Sequence, residues 1–222
     1  MLHFDNVGLY DGLFVMQDRE SKTLWNHISG EALYGPHVGR TLGPVGNIMQ
    51  MTVEEALEFD AAMQVAISDR PYTATGGRSG VPGQGNLGAN AQLMPMFVET
   101  LGKEDTRRPR MDMGLGIWTD ATRRYYPVDE IRARGALIDE LDGRNVLVYI
   151  EARSATPTAI FVDAQRATVA GNEVRLDTGA VVRSGGLFDA DGSRMEDDRP
   201  QQIFTRWYGY SLTFPRAEVF GQ

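Results

Sequence analysis

Asp142-Gly143-Arg144-Asn145-Val146-Leu147-Val148-Tyr149-Ile150 decides the fold. Asp-Gly is a strong signal for a tight hairpin turn, and the apolar run after it predicts a buried strand. Downstream, short strands are expected near residues 158–162, 166–170, 173–176 and 180–183, with Gly171-Asn172 and Asp177-Thr178-Gly179 as the turns between them. Upstream, Gly114-Leu115-Gly116-Ile117-Trp118 and Arg124-Tyr125-Tyr126 flank Thr119-Asp120-Ala121-Thr122, a second hairpin pattern. Pro127 opens a short helix through Asp129, Glu130 and Ile131, which Gly135 ends. The chain closes on an aromatic stretch from Phe204 to Leu212, helix or strand.

Toward the N-terminus, Leu13-Phe14-Val15-Met16 and Thr23-Leu24-Trp25 bracket the polar Asp18-Arg19-Glu20-Ser21-Lys22, so a third hairpin is expected. Thr52 followed by Glu55 is a capping-box pattern, and Val53, Ala56, Leu57 and Ala61 recur at helical spacing, predicting a helix over 52–64. Residues about 73–92 hold repeated glycines and almost no large apolar residue; they read as a connector, with a lid or binding loop as the alternative. Many short strands with two or three short helices define the class: α+β, strand-rich, in one domain spanning residues 1–222.

Composition narrows the chemistry. The 222 residues contain no cysteine, which excludes disulfides, thiolate metal sites and a cysteine nucleophile. The net charge of −8 argues against nucleic acid, since a backbone binder needs clustered cations. The two basic spots, Arg107-Arg108-Pro109-Arg110 and Arg123-Arg124, have acids nearby and read as solvated faces. No apolar run approaches a membrane span, and the first residues lack the pattern of a signal peptide, so a soluble chain is expected, its compartment left open.

An internal echo is visible. Val53, Ala56, Asp60, Ala61 and Val65 share their spacing with Trp207, Tyr210, Phe214, Pro215 and Val219, offset by 154. Upstream, Glu20-Ser21-Lys22-Thr23-Leu24-Trp25 and Asp177-Thr178-Gly179-Ala180-Val181-Val182 correspond at an offset of 157. Two diverged copies of one supersecondary unit, about residues 10–67 and 165–222, packed about a pseudo-two-fold, would produce this pattern.

The block Phe14-Val15-Met16-Gln17-Asp18-Arg19-Glu20-Ser21-Lys22-Thr23-Leu24-Trp25, continuing through Gly30-Glu31-Ala32 and Gly35-Pro36 to Gly39, resembles the bacterial family called domain of unknown function 3179. Tyr126-Pro127, Asp139, the Gly143 turn and the stretch from Trp207 to Pro215 extend the resemblance over most of the chain. The family has no settled activity, so the resemblance implies an architecture rather than a reaction. Two departures stand out. The Cys-Pro-x-Cys type segment usual upstream of the N-terminal block is missing, which implies a shortened form of a longer ancestor, and the tryptophans usual at Val53 and Ala56 are replaced.

Candidate site residues are few. Trp25, His27, Glu31, Tyr34 and His37 fall close together in sequence and form a candidate pocket. Two imidazoles and a carboxylate (His27, Glu31, His37) have the ligand types of a zinc or iron centre, although not the spacing of a helical zinc motif. Asp189-Ala190-Asp191-Gly192 resembles a calcium loop, but Glu196 comes too soon after Gly192, and a plain turn is favoured. Trp207-Tyr208-Gly209-Tyr210 reads as core. The leading expectation is a non-catalytic binding or structural module that recognises a small molecule or a protein in a groove between the halves, with no cofactor. The alternatives are a metal-dependent enzyme built on His27, Glu31 and His37, and a carbohydrate-binding surface on the aromatics.

Overall fold

The computed structural model describes residues 1–43, 46–67 and 93–222. The Gly-rich segment about 73–92 lies outside the described residues. Strands hold 37% of the described residues and helices 13%, which makes the class α+β and strand-rich.

The chain begins with an antiparallel meander of four strands in sequence order: β1 (Phe4–Tyr10), β2 (Leu13–Asp18), β3 (Leu24–Asn26) and β4 (Ala32–Tyr34). The expected β2–β3 hairpin is present; β1 was not foreseen. Its turn is Asp11-Gly12, with φ of 52° and 68°, the two left-handed residues that a two-residue hairpin loop requires. Next come α1 (Val53–Phe59) and the single turn α2 (Pro95–Val98). The capping box of α1 forms as expected, Thr52 Oγ1 accepting from Glu55 N and Glu55 Oε2 from Thr52 N. The helix stops five residues earlier than its spacing predicted. Asp60 takes an extended conformation and its carboxylate accepts from Ala62 N, an Asx turn that competes with helix continuation.

β5 (Met113–Trp118) and β6 (Arg123–Pro127) form the second hairpin, and α3 (Val128–Arg134) follows. Gly135 ends α3 with φ of 76° and ψ of −62°, a region that L side chains avoid. Then β7 (Ala136–Leu141), β8 (Arg144–Ile150) and β9 (Pro157–Phe161) make a three-stranded antiparallel sheet. A second meander follows: β10 (Ala167–Ala170), β11 (Glu173–Leu176), β12 (Val181–Arg183) and β13 (Gly186–Phe188). The final aromatic stretch is both strand and helix: β14 (Gln201–Arg206), α4 (Trp207–Thr213), then β15 (Glu218–Val219). β14 pairs antiparallel with β5 and β15 parallel with β6, giving the order β14-β5-β6-β15.

The pleat of β8 explains the continuous apolar run that opened the reading. Successive side chains point to opposite faces. Val146 and Val148 enter one core with Leu115, Ile117, Tyr126 and Ile131, which joins β5, β6 and α3. Leu147 and Tyr149 enter another with Val174, Leu176, Val182 and Leu187 of the second meander. A strand covered on both faces needs no polar alternation.

Gly114-Leu115-Gly116-Ile117 shows the complementary case. Leu115 and Ile117 face the first core, and the glycines face a third formed by Tyr125, Trp207, Tyr210, Ala217 and Val219. A Cβ on Gly116 would lie 2.2 Å from the Tyr210 ring, so α4 sits on β5 only because that side chain is absent.

The two ends of the chain grip each other's units. α4 lies against the first meander: Gly209 meets Leu13, and Tyr208 Oη donates to Gly12 O at 3.3 Å. α1 lies against the second: Ser184 Oγ donates to Glu58, Arg194 to Phe59 O, and the Phe59 ring meets the Gly185 turn.

Candidate functional site

Trp25 is not part of an open pocket. Its ring is buried (2% exposed), and Nε1 donates to Asp18 Oδ2 at 2.8 Å. The Asp18 carboxylate also accepts from Ser21 N and Ser21 Oγ. Burial pushes the Asp18 carboxyl upward, but the donors of Ser21, Trp25 and Thr23 outweigh it and hold the group below the usual carboxylate range. The most distinctive block of the sequence is thus an internally satisfied turn. His27 Nδ1 donates to Phe14 O at 2.7 Å, Glu31 bridges to Thr41, Tyr34 stands 73% exposed, and the His37 ring lies 6.0 Å from that of Trp25. Among the described residues no three His, Asp or Glu side chains gather to hold a metal ion, and His27, Glu31 and His37 are not brought together in such a group.

Asp189 Oδ1 accepts from Asp191 N at 3.0 Å and Ser193 N at 2.8 Å, capping a turn with Gly192 at φ 82°. The carbohydrate surface needs correction. Trp207 is fully buried and donates from Nε1 to Asp105 O at 2.7 Å, and with Trp25 also enclosed neither indole offers a face to a sugar. The basic spots are corrected too. Arg108 is held between Asp112 and Asp129, and Arg124 between Asp139 and Glu218; each is about four-fifths buried rather than solvated. Asp139 Oδ2 accepts from Tyr126 Oη at 2.8 Å as well, which gives these residues of the resemblance a structural role.

The strongest site lies elsewhere, at the end of β8. Glu151 follows directly on the apolar run and is 7% exposed. Its Oε1 accepts from Tyr149 Oη at 2.7 Å and from Gly185 N at 2.8 Å. Burial pushes the Glu151 carboxyl above its ordinary value, and the charge of Glu55 adds to this against the opposing donors and Arg199. Glu55, 1% exposed, accepts from Thr52 N and Ser154 N. The turn from Glu151 to Thr156, closed by Glu151 N donating to Thr156 O, therefore ties α1 to the end of the central sheet.

Glu151 opens on a cavity of about 200 Å³. Residues 48–51 form one wall, Leu115, Ile203 and Phe204 another, and Thr156, Thr158 and Gln202 bring polar atoms to it. Gln202 is fixed: Oε1 accepts from Ala159 N at 2.7 Å and Thr158 Oγ1 at 3.2 Å, and Nε2 donates to Ala159 O at 2.9 Å. Asn47 holds both Gln202 N and Pro200 O, anchoring the strap of residues 46–51 over the opening of β14. A mostly apolar hollow with a few fixed polar groups and one perturbed carboxyl is the usual form of a small-ligand site. Its volume is below the roughly 300–1,000 Å³ of drug-sized pockets.

These residues escaped the sequence reading because they come from three distant stretches. One signal was available: a carboxylate placed immediately after a fully apolar strand. The family model described as protein of unknown function, DUF3179, matches residues 2–213. No curated protein and no solved structure matches the chain.

Proposed function

The chain belongs to the DUF3179 family, and from that premise we propose that it is a non-catalytic binding module whose ligand is a small molecule held in the Glu151 cavity. The hollow of about 200 Å³ beside a buried carboxyl carries this reading. Evolution tends to fill voids that have no use, because unfilled volume forfeits dispersion contacts. Among the described residues no helix is long and apolar enough to cross a membrane.

We also propose that the chain is one domain of two diverged halves. Four correspondences support it. β4 and β13 are separated by 154 residues, as are α1 and α4, both seven residues long. β3 and β12 are separated by 157. Lys22 and Gly179, equivalent at that offset, both adopt positive φ, 61° and 89°. The cavity takes residues 48–51 from the first half, Gln202, Ile203 and Phe204 from the second, and its floor from the sheet between them.

Thermal-shift screening of a library of small polar molecules, in parallel on the parent and Thr156→Leu, tests the binding reading. Thr156 lines the hollow, so leucine there occupies space the ligand needs. Compounds that stabilise the parent and not the variant are expected. A library without a stabilising compound, or hits that stabilise both equally, would refute it.

A further inference from the structure

Glu55 on α1 and Glu151 are two carboxylates, each more than nine-tenths buried, that meet at the turn from Glu151 to Thr156. Among the described residues every hydrogen-bond partner they have is neutral: Thr52 N and Ser154 N for Glu55, Tyr149 Oη and Gly185 N for Glu151. Among the described residues neither has a Lys, Arg or His within ion-pair distance. Arg199 passes nearby, but its nitrogens go to Asp197, Thr158 Oγ1, Ala159 O and Gly185 O. Buried charges are ordinarily paired, and two like charges sharing one site leave a positive partner missing. Ser154 Oγ, on the turn from Glu151 to Thr156, is buried and has no hydrogen-bond partner among the described residues.

The open atom is Glu151 Oε2. Among the described residues both donors to this carboxylate use Oε1, and Glu151 lines the hollow. The remaining walls decide what kind of cation fits. Met49, Met51, Leu115, Ile203 and Phe204 offer carbon and thioether sulfur. A hard metal ion would need six or more oxygen ligands there. An apolar body bearing one positive group satisfies both the wall and the carboxylate.

We infer that the Glu151 cavity recognises a small organic cation, an alkylammonium or amidinium whose charge meets Glu151 Oε2 and whose hydrocarbon part lies against Met49, Met51 and Ile203. The inference rests on the cavity being a binding site. Its size sets the limit: about 200 Å³ equals roughly seven water volumes at about 30 Å³ each.

The test is titration of the whole protein with n-butylammonium chloride and, separately, n-butanol, read by calorimetry and melting temperature at constant ionic strength. The two probes have the same shape and differ in charge. Saturable stabilisation by butylammonium, with butanol at least about tenfold weaker, is expected, since a charged hydrogen-bonded contact is worth about 1.5–3 kcal/mol. Glu151→Gln keeps an acceptor for Tyr149 and Gly185 and should weaken butylammonium by about tenfold or more. Thr156→Leu, which keeps the carboxylate, should abolish it sterically. Equal affinity for the two probes, or undiminished butylammonium binding by Glu151→Gln, overturns the cation while leaving the cavity as a binding site. If neither probe binds but library compounds do, the cation inference alone falls. If nothing binds the parent, both fall.

Discussion

Asp18 and Glu151 are both shut away from water, yet acid acts on them in opposite senses. Asp18 has a lowered folded-state pKa, so the stability it contributes is present above the unfolded value near 4 and is lost as pH falls through the folded value. Asp18→Asn is therefore expected to lower the melting temperature at pH 7, with the deficit shrinking below about pH 4. Glu151 has a raised folded-state pKa. Its contribution is complete below the unfolded value near 4.3 and is lost as pH rises through the folded one. Glu55, Tyr149 and Arg199 surround it, and among these Glu55 deepens the loss. Glu151→Gln should then be more stable than the parent by a margin that grows from pH 4 to pH 8. Calorimetry from about pH 2 to about pH 8 checks both variants, Asp18→Asn on the acid side and Glu151→Gln above it, and a pH-independent difference over its own window would contradict either assignment. Neither carboxylate was legible as such in the sequence. Asp18 sits in a polar run that reads as a solvated turn, and only the fold shows Trp25 Nε1 reaching back to it.

Single elements hang on local choices that can be removed one at a time. Thr52→Ala deletes the Thr52 half of the α1 capping box, at a cost of about 1 kcal/mol. Urea denaturation should show that loss. Gly116→Ala places a methyl into the Tyr210 ring, whose hydroxyl is itself fixed by donation to Ile117 O. Neither side can move freely, and destabilisation of about 3 kcal/mol is expected, near the upper end for overpacked cores. The elements carrying punctuation were the readable ones: Asp142-Gly143, Pro127 with Gly135, Thr52 with Glu55. β4 and β13 are three residues long and contain no alternation to detect. β1 is mostly exposed, and Phe4-Asp5-Asn6-Val7-Gly8 lacks the β-branched density of a confident strand.

The whole molecule is held by exchange between its ends, α1 on the second meander and α4 on the first. Neither end can bury its helix alone. Residues 1–67 and 93–222 expressed separately are expected to lack cooperative unfolding transitions and to regain one on mixing, measured by circular dichroism. Independent two-state unfolding of each fragment would count against the exchange. α1 and α4 differ in what they cover: Val53 is 62% exposed, whereas Trp207 is buried.

The order β14-β5-β6-β15 also bears on how the protein is made. The β5–β6 hairpin leaves the ribosome with both flanks bare, and 73 residues separate the end of β6 from the start of β14. Until those late strands arrive, two rows of unpaired amides and carbonyls stand open to any neighbouring nascent chain. Translation speed and chaperone supply should therefore govern the yield of this protein more than its final stability does.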